Sequence, residues 1–106
     1  MSNRPFRYLE FLYVFILHMR QRDHRYGYIK LLLADGKIQS FGDIFDHVPK
    51  TIVANDLGKN VRRFTELMNR IEKFTLEELL QIGTYCKLTS TETLKLVDAE
   101  YIKQKT

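Results

Sequence analysis

The sequence predicts an all-α fold, a compact bundle of five or six helices that includes one extra helix at the N-terminus. Three observations favour it: the chain holds two Pro and five Gly, no stretch keeps the alternation of a β-strand, and apolar residues recur at helical spacing. With 106 residues and a hydrophobic content of 44%, the chain can bury one modest core. We therefore expect a helical domain at residues 27–106, preceded by an N-terminal apolar helix and polar linker at residues 1–26.

The N-terminal segment, residues 5–22, is predicted to form the first helix, and its centre from Phe11 to Leu17 is apolar on every side. A membrane span needs about 20 apolar residues, whereas Glu10 interrupts this shorter run. A secretory signal peptide needs a small-residue cleavage site, which does not follow. Burial, inside the domain or against another subunit, remains the best explanation.

Two hypotheses account for this apolar helix. In the first, it pairs with its copy in a homodimer, because an exposed apolar patch of this size marks an interaction site. Its contacting residues would be Phe11, Leu12, Phe15 and Ile16. In the second, Met19 is the true start of the natural protein and residues 1–18 do not belong to it.

Two short elements follow. Residues 28–36 are predicted to form a helix that ends at Gly36, since glycine tolerates the left-handed backbone that often follows a helix. Ser40, with Asp43 three residues later, predicts the start of the next short helix. Pro49 ends that element and is expected at the first position of the following helix.

A pair of short helices joined by a tight turn comes next. One side of the first helix is apolar and consists of Val53, Ala54 and Leu57. Gly58 can adopt the positive φ that a sharp turn requires, and Asn60 is a favoured N-cap for the second helix, at about residues 61–70. Four of its side chains fall on one stripe and should be buried: Phe64, Leu67, Met68 and Ile71. Such a helix-turn-helix can present its second helix to the DNA major groove.

Two capped helices are predicted at the C-terminal end. Thr75 with Glu78, and Thr89 with Glu92, match the T-x-x-E capping box. The apolar stripe of the first of these helices would be Leu76, Leu79, Leu80, Gly83 and Cys86. The core face of the last helix would be Leu94, Val97 and Tyr101.

Positive charge is concentrated in two parts of the chain. The formal net charge is +4, a value that many proteins reach without binding nucleic acid. Residues 1–30 hold six Lys and Arg against two acidic residues, and residues 59–73 hold five against two. The second concentration coincides with the second helix of the motif, where it is typical either of a nucleic-acid-binding face or of a solvated charged face.

The sequence offers little for catalysis. A single cysteine excludes an intramolecular disulfide and suits a reducing cytoplasm, and Cys86 lies on an apolar stripe, where a buried, inert thiol is expected. The three histidines, His18, His24 and His47, are not at metal-ligand spacing. We therefore predict no enzyme activity, no metal and no cofactor.

The free face of the second motif helix suits a DNA groove. Arg62, near its start, can donate two hydrogen bonds to guanine, Val61 can contact a thymine methyl group, and Glu66 can accept from cytosine. Base contacts are predicted for Asn60, Val61, Arg62, Thr65 and Glu66. Phosphate contacts, which fix register rather than sequence, are predicted for Lys50, Lys59, Arg63, Asn69, Arg70 and Lys73.

Residues 28–97 resemble the phage-repressor (XRE-like, lambda-repressor-like) helix-turn-helix family. The resemblance rests on the helix–Gly–helix spacing, on the positions of Ala54 and Leu57, and on the closing segment TLEELLQIGTYCKLTSTETLKLV. It implies that Lys50, at the start of the first motif helix, contacts the DNA backbone. It also implies that bases face Asn60, Val61, Arg62 and Glu66. Lys59 departs from the family, which usually has an apolar residue at that position.

Together these patterns predict a sequence-specific transcriptional regulator that binds double-stranded DNA as a homodimer in the cytoplasm, with no small-molecule ligand and no membrane. The alternative is a protein-interaction adaptor that keeps the helical fold and binds a partner through its N-terminal apolar helix. Arginine beside small polar residues on the 61–66 face favours DNA over an adaptor.

Overall fold

The computed structural model of the protein describes residues 22–106. The predictions for the apolar helix and for its dimer contacts lie outside the described residues. Within residues 22–106 the chain forms α-helices and short 3-10 helices and no β-strand, which confirms the all-α class. The α-helices are α1 (Tyr26–Ala34), α2 (Lys50–Leu57), α3 (Val61–Asn69), α4 (Leu76–Tyr85) and α5 (Ser90–Lys105). The 3-10 helices are Phe41–Asp46 and Ile71–Lys73.

The turn between α2 and α3 has the predicted backbone. Gly58 has a φ of +79°, in the left-handed region that glycine adopts without a steric penalty. The backbone N–H of Lys59 donates to the carbonyl oxygen of Ala54 at 2.8 Å, which closes the end of α2. Gly36, with a φ of +74°, follows the end of α1 in the same way.

The helix starts agree with the sequence at four of the five predicted positions, namely Ser40, Asn60, Thr75 and Thr89. Thr75 with Glu78 and Thr89 with Glu92 form the predicted reciprocal capping boxes. Pro49 is a correction, because it lies immediately before α2 rather than at its first position. Its ψ of 141° is extended, and its carbonyl accepts the first hydrogen bonds of the helix, so it acts as the N-cap.

The core is centred on α3. The predicted apolar stripe is buried: Phe64, Leu67 and Met68 lie on α3, and Ile71 lies at the start of the 3-10 helix that follows it. The Phe64 ring lies between Phe45 and Phe74, at centroid distances of 5.5 and 5.7 Å and steep interplanar angles, an arrangement that aromatic pairs favour. Val53 and Ala54 of α2 are also fully buried, so α2 and α3 share one core.

Helix α5 turns a different face to the core than the sequence predicts. The expected core face is wrong at Leu94 and Tyr101, which are each 41% exposed, and is correct at Val97, which is half-buried against the core. Thr93, Leu96 and Glu100 are buried instead. Gly83 of α4 lies so close to Thr93 that an added Cβ would collide with its hydroxyl, and Glu100 accepts a hydrogen bond from the N–H of Gly42 at 2.8 Å. These two contacts rotate α5 by about one residue and leave its predicted core face largely outside.

The predicted stripe of α4 is correct except at its first residue. Leu79, Gly83 and Cys86 are buried and Leu80 is half-buried, whereas Leu76 is 60% exposed. Side chains of an α-helix lean towards its N-terminus, so that of the first residue projects beyond the packed turn.

Candidate nucleic-acid interface

The N-cap of α3 and its buried apolar stripe together determine which face of the helix is exposed to solvent. The side-chain oxygen of Asn60 accepts a hydrogen bond from the N–H of Arg63 at 2.7 Å, which fixes where the helix begins. Because the apolar stripe faces inwards, the opposite side is directed outwards. Five of the predicted contact residues are exposed on it: Val61, Arg62, Arg63, Glu66 and Asn69. Thr65 is half-buried at its edge.

Several of the predicted base-contacting side chains already have partners in the domain. The side-chain oxygen of Asn60 is engaged in the cap, and the Thr65 hydroxyl donates to the carbonyl of Val61 at 2.9 Å. Arg63 forms an exposed ion pair with Glu66 at 3.4 Å. Arg62, by contrast, has no ion pair within residues 22–106. Its guanidinium is therefore the group on this face most available for a new partner.

Lys59 lies in a different environment from the other predicted phosphate contacts. Its Nζ is 2.5 Å from Oε2 of Glu78, and the two side chains are only 25% and 21% exposed. The same carboxylate accepts from the N–H of Thr75 at 3.0 Å. This ion pair ties the turn before α3 to the first turn of α4, so Lys59 has a positioning role in the domain that the sequence did not reveal.

The pKa of Glu78 reflects this environment. Burial alone would raise the pKa of its carboxyl, but hydrogen bonds from the Lys59 ammonium and the Thr75 N–H outweigh burial. The net pKa lies below the ordinary value of 4.5, so the carboxylate remains charged and paired at neutral pH.

The remaining predicted phosphate contacts surround α3. Arg70 is exposed and lies 3.7 Å from the carboxylate of Glu72, and Lys73 is exposed immediately after it. Lys50, at the start of α2, is half-buried. Ion pairs as exposed as that of Arg70 contribute little to folding, so these cations can exchange their partners for phosphates at small cost.

A polar cluster without a signature in the sequence surrounds Asp56, near the end of α2. The hydroxyl of Tyr26 donates to the Asp56 carboxylate at 2.7 Å, and that of Tyr85 donates to the Asp56 carbonyl at 2.9 Å. The Arg22 guanidinium lies 4.0 Å above the Tyr85 ring and 3.6 Å from the Asp56 carboxylate. Arg22 and Tyr26, which the sequence-based division placed in the linker, thus hold the end of α2. No local motif could indicate contacts between residues about thirty positions apart.

Two other observations concern metal or membrane binding and the reactivity of the cysteine. In the part of the chain that the structure describes, no three His, Cys, Asp or Glu side chains are grouped as metal ligands would be, and no helix is long and apolar enough to cross a membrane. Burial raises the pKa of the Cys86 thiol to about 12, so it stays protonated at neutral pH and is a poor nucleophile.

No protein-family model, curated protein or solved structure matches the chain.

Proposed function

We propose that the protein is a sequence-specific, double-stranded DNA-binding regulator of transcription of the phage-repressor helix-turn-helix type, with α3 as its recognition helix. The observation that carries the proposal is the division of α3 into two faces. Its apolar stripe is buried, and Val61 and Arg62 are exposed at the helix start. The Arg62 guanidinium has no ion pair or hydrogen bond among residues 22–106.

The start of a recognition helix is where base edges are usually read. An exposed arginine there can donate two hydrogen bonds to guanine O6 and N7, and a neighbouring valine can contact a thymine methyl group. Lys50, Arg70 and Lys73 lie at the ends of the two motif elements and would bind phosphates on either side. A homodimer in the cytoplasm is part of the proposal, because two half-sites bound together give the affinity that one short helix cannot.

The test is duplex binding by the full chain across a salt series, followed by selection of preferred sites from random duplexes. Affinity should fall steeply between about 50 and 200 mM salt, because each neutralised phosphate releases condensed counterions. Selection should return sites with a strong preference at a few base pairs. If no duplex binding is measurable at about 50 mM salt, the proposal is wrong and the adaptor hypothesis takes its place.

A further inference from the structure

The end of α3 is held by the side-chain amide of Gln104, a half-buried residue near the C-terminus of α5. Its Nε2 donates to the carbonyl oxygen of Met68 at 2.8 Å, and its Oε1 accepts from the N–H of Ile71 at 3.0 Å. Carbonyl groups in the last turn of a helix lack a partner within the helix, so the first of these bonds supplies one for Met68. One side chain thus fixes the backbone immediately before and immediately after residues 69–70.

A second set of contacts orients the Gln104 amide. Its Nε2 also donates to Oε2 of Glu100 at 3.1 Å, and Oε1 of Glu100 accepts from the N–H of Gly42 at 2.8 Å. Glu100 is only 8% exposed, and a Cβ at residue 42 would lie 2.6 Å from its Oε1, so the network has little room to rearrange. Because Nε2 faces two acceptors and Oε1 faces a donor, the hydrogen bonds define the orientation of the amide. Helix α5 and the Phe41–Asp46 helix therefore hold the end of α3 through one connected network.

Two of the predicted phosphate contacts, Asn69 and Arg70, lie in the segment between the two backbone groups that Gln104 binds. Both side chains are exposed. The neighbour of Gln104 on α5, Lys105, donates to the carboxylate of Glu72 at 3.1 Å, and the same carboxylate lies 3.7 Å from the Arg70 guanidinium. Since Arg70 shares its acid with Lys105, its side chain can move to a phosphate at small cost while its backbone stays fixed.

We propose that Gln104, oriented by Glu100, is a positioning residue for DNA binding, which holds residues 69–70 so that Arg70 meets a phosphate at the end of α3. The inference rests on the proposed function and extends it to a residue of another helix, 36 positions after Met68 in the chain. Phosphate contacts fix the register of a recognition helix and carry no sequence information. Loosening this segment should therefore weaken binding to every duplex alike.

Hydrogen exchange in the free protein tests the positioning without DNA. Gln104→Met keeps the length of the side chain and removes both ends of the amide. We expect the N–H of Ile71 to exchange at least about fivefold faster in this variant, since its acceptor is lost. The N–H of Leu79, which donates to the carbonyl of Thr75, should exchange at an unchanged rate. Equal acceleration of both amides would show a general loss of stability and would overturn the positioning role.

Duplex binding by the full chain across a salt series tests the consequence for DNA. Gln104→Met should reduce the slope of log affinity against log salt concentration by about one unit, as one lost phosphate contact would. In an Arg70→Ala background the same change should reduce the slope no further, because that contact is already absent. The matched control is Gln81→Met, which removes an amide that donates to Tyr85 of the same helix and should leave the slope unchanged.

The possible results separate this inference from the proposed function. If the wild-type chain binds duplexes and Gln104→Met keeps the full slope, the inference is wrong and the proposed function stands. The same holds if Gln104→Met reduces the slope equally in the Arg70→Ala background. If the wild-type chain binds no duplex at about 50 mM salt, the proposed function is wrong and the inference falls with it, whatever the exchange rates.

Discussion

Helices α3 and α5 both pack on the core, but for different physical reasons. Helix α3 buries three large apolar side chains on one face and exposes charged residues on the opposite face, so its orientation follows from hydrophobicity. Helix α5 buries two polar side chains, Thr93 and Glu100, beside Leu96, and leaves Leu94 and Tyr101 substantially exposed. Its orientation follows from two particular contacts, with Gly83 and with the backbone of Gly42. The buried face of a helix such as α3 can be predicted from its sequence, whereas the buried face of a helix such as α5 cannot.

The largest effect should come from the α3 stripe. Phe64→Ala removes a fully buried ring that lies between two others, and we expect the free energy of unfolding to fall by about 3–5 kcal/mol. Urea unfolding followed by circular dichroism measures it. Arg62→Ala on the opposite face serves as the matched control and should change stability by less than about 0.5 kcal/mol. Equal losses from the two variants would show that the faces of α3 are assigned wrongly.

A smaller effect should test the α4–α5 contact. Gly83→Ala places a methyl group against Thr93, and we expect a loss of about 1–3 kcal/mol, although alanine favours helix formation over glycine. Thr93→Ala in the same chain should restore part of that loss, because it removes the colliding hydroxyl and methyl groups. A stabilised Gly83→Ala variant would mean that α5 is not held by this close approach.

The loss of stability at acidic pH should test the ion pair between Lys59 and Glu78. Because the pKa of Glu78 is lowered on folding, its contribution to stability is present above about pH 4.5 and is lost as pH falls through the lowered pKa. Glu78→Gln should therefore reduce the fall in melting temperature between about pH 5 and pH 3. The control is Glu77→Gln, since Glu77 is exposed and has no ion pair among residues 22–106. An unchanged pH profile for Glu78→Gln would contradict the proposed positioning role of the pair.

The sequence predicted those features that are formed by residues close to one another along the chain. The turn at Gly58, the Asn60 cap and the capping boxes at Thr75 and Thr89 are formed by residues within a few positions of one another, and the sequence predicted them. The buried stripe of α3 was also predicted, because its apolar residues recur at helical spacing.

The contacts that the sequence missed join residues far apart in the chain. Lys59 pairs with Glu78, Tyr26 with Asp56, and Gly42 with Glu100, and none of these pairs has a local signature. Glu78 neutralises Lys59 in a partly buried position, which makes a lysine tolerable there. At the candidate interface, the sequence selected the exposed face of α3 but could not distinguish Arg62 from side chains that already have partners.

The most direct test of the central claim compares Arg62→Ala with Lys95→Ala on the duplex site that selection prefers. Both variants remove one exposed positive charge, but Lys95 lies on α5, outside the proposed recognition face. We predict that Arg62→Ala costs about 1–3 kcal/mol on the preferred site and relaxes the preference at one base pair, while Lys95→Ala leaves affinity and preference unchanged. Equal, sequence-independent losses from the two variants would contradict a recognition role for α3.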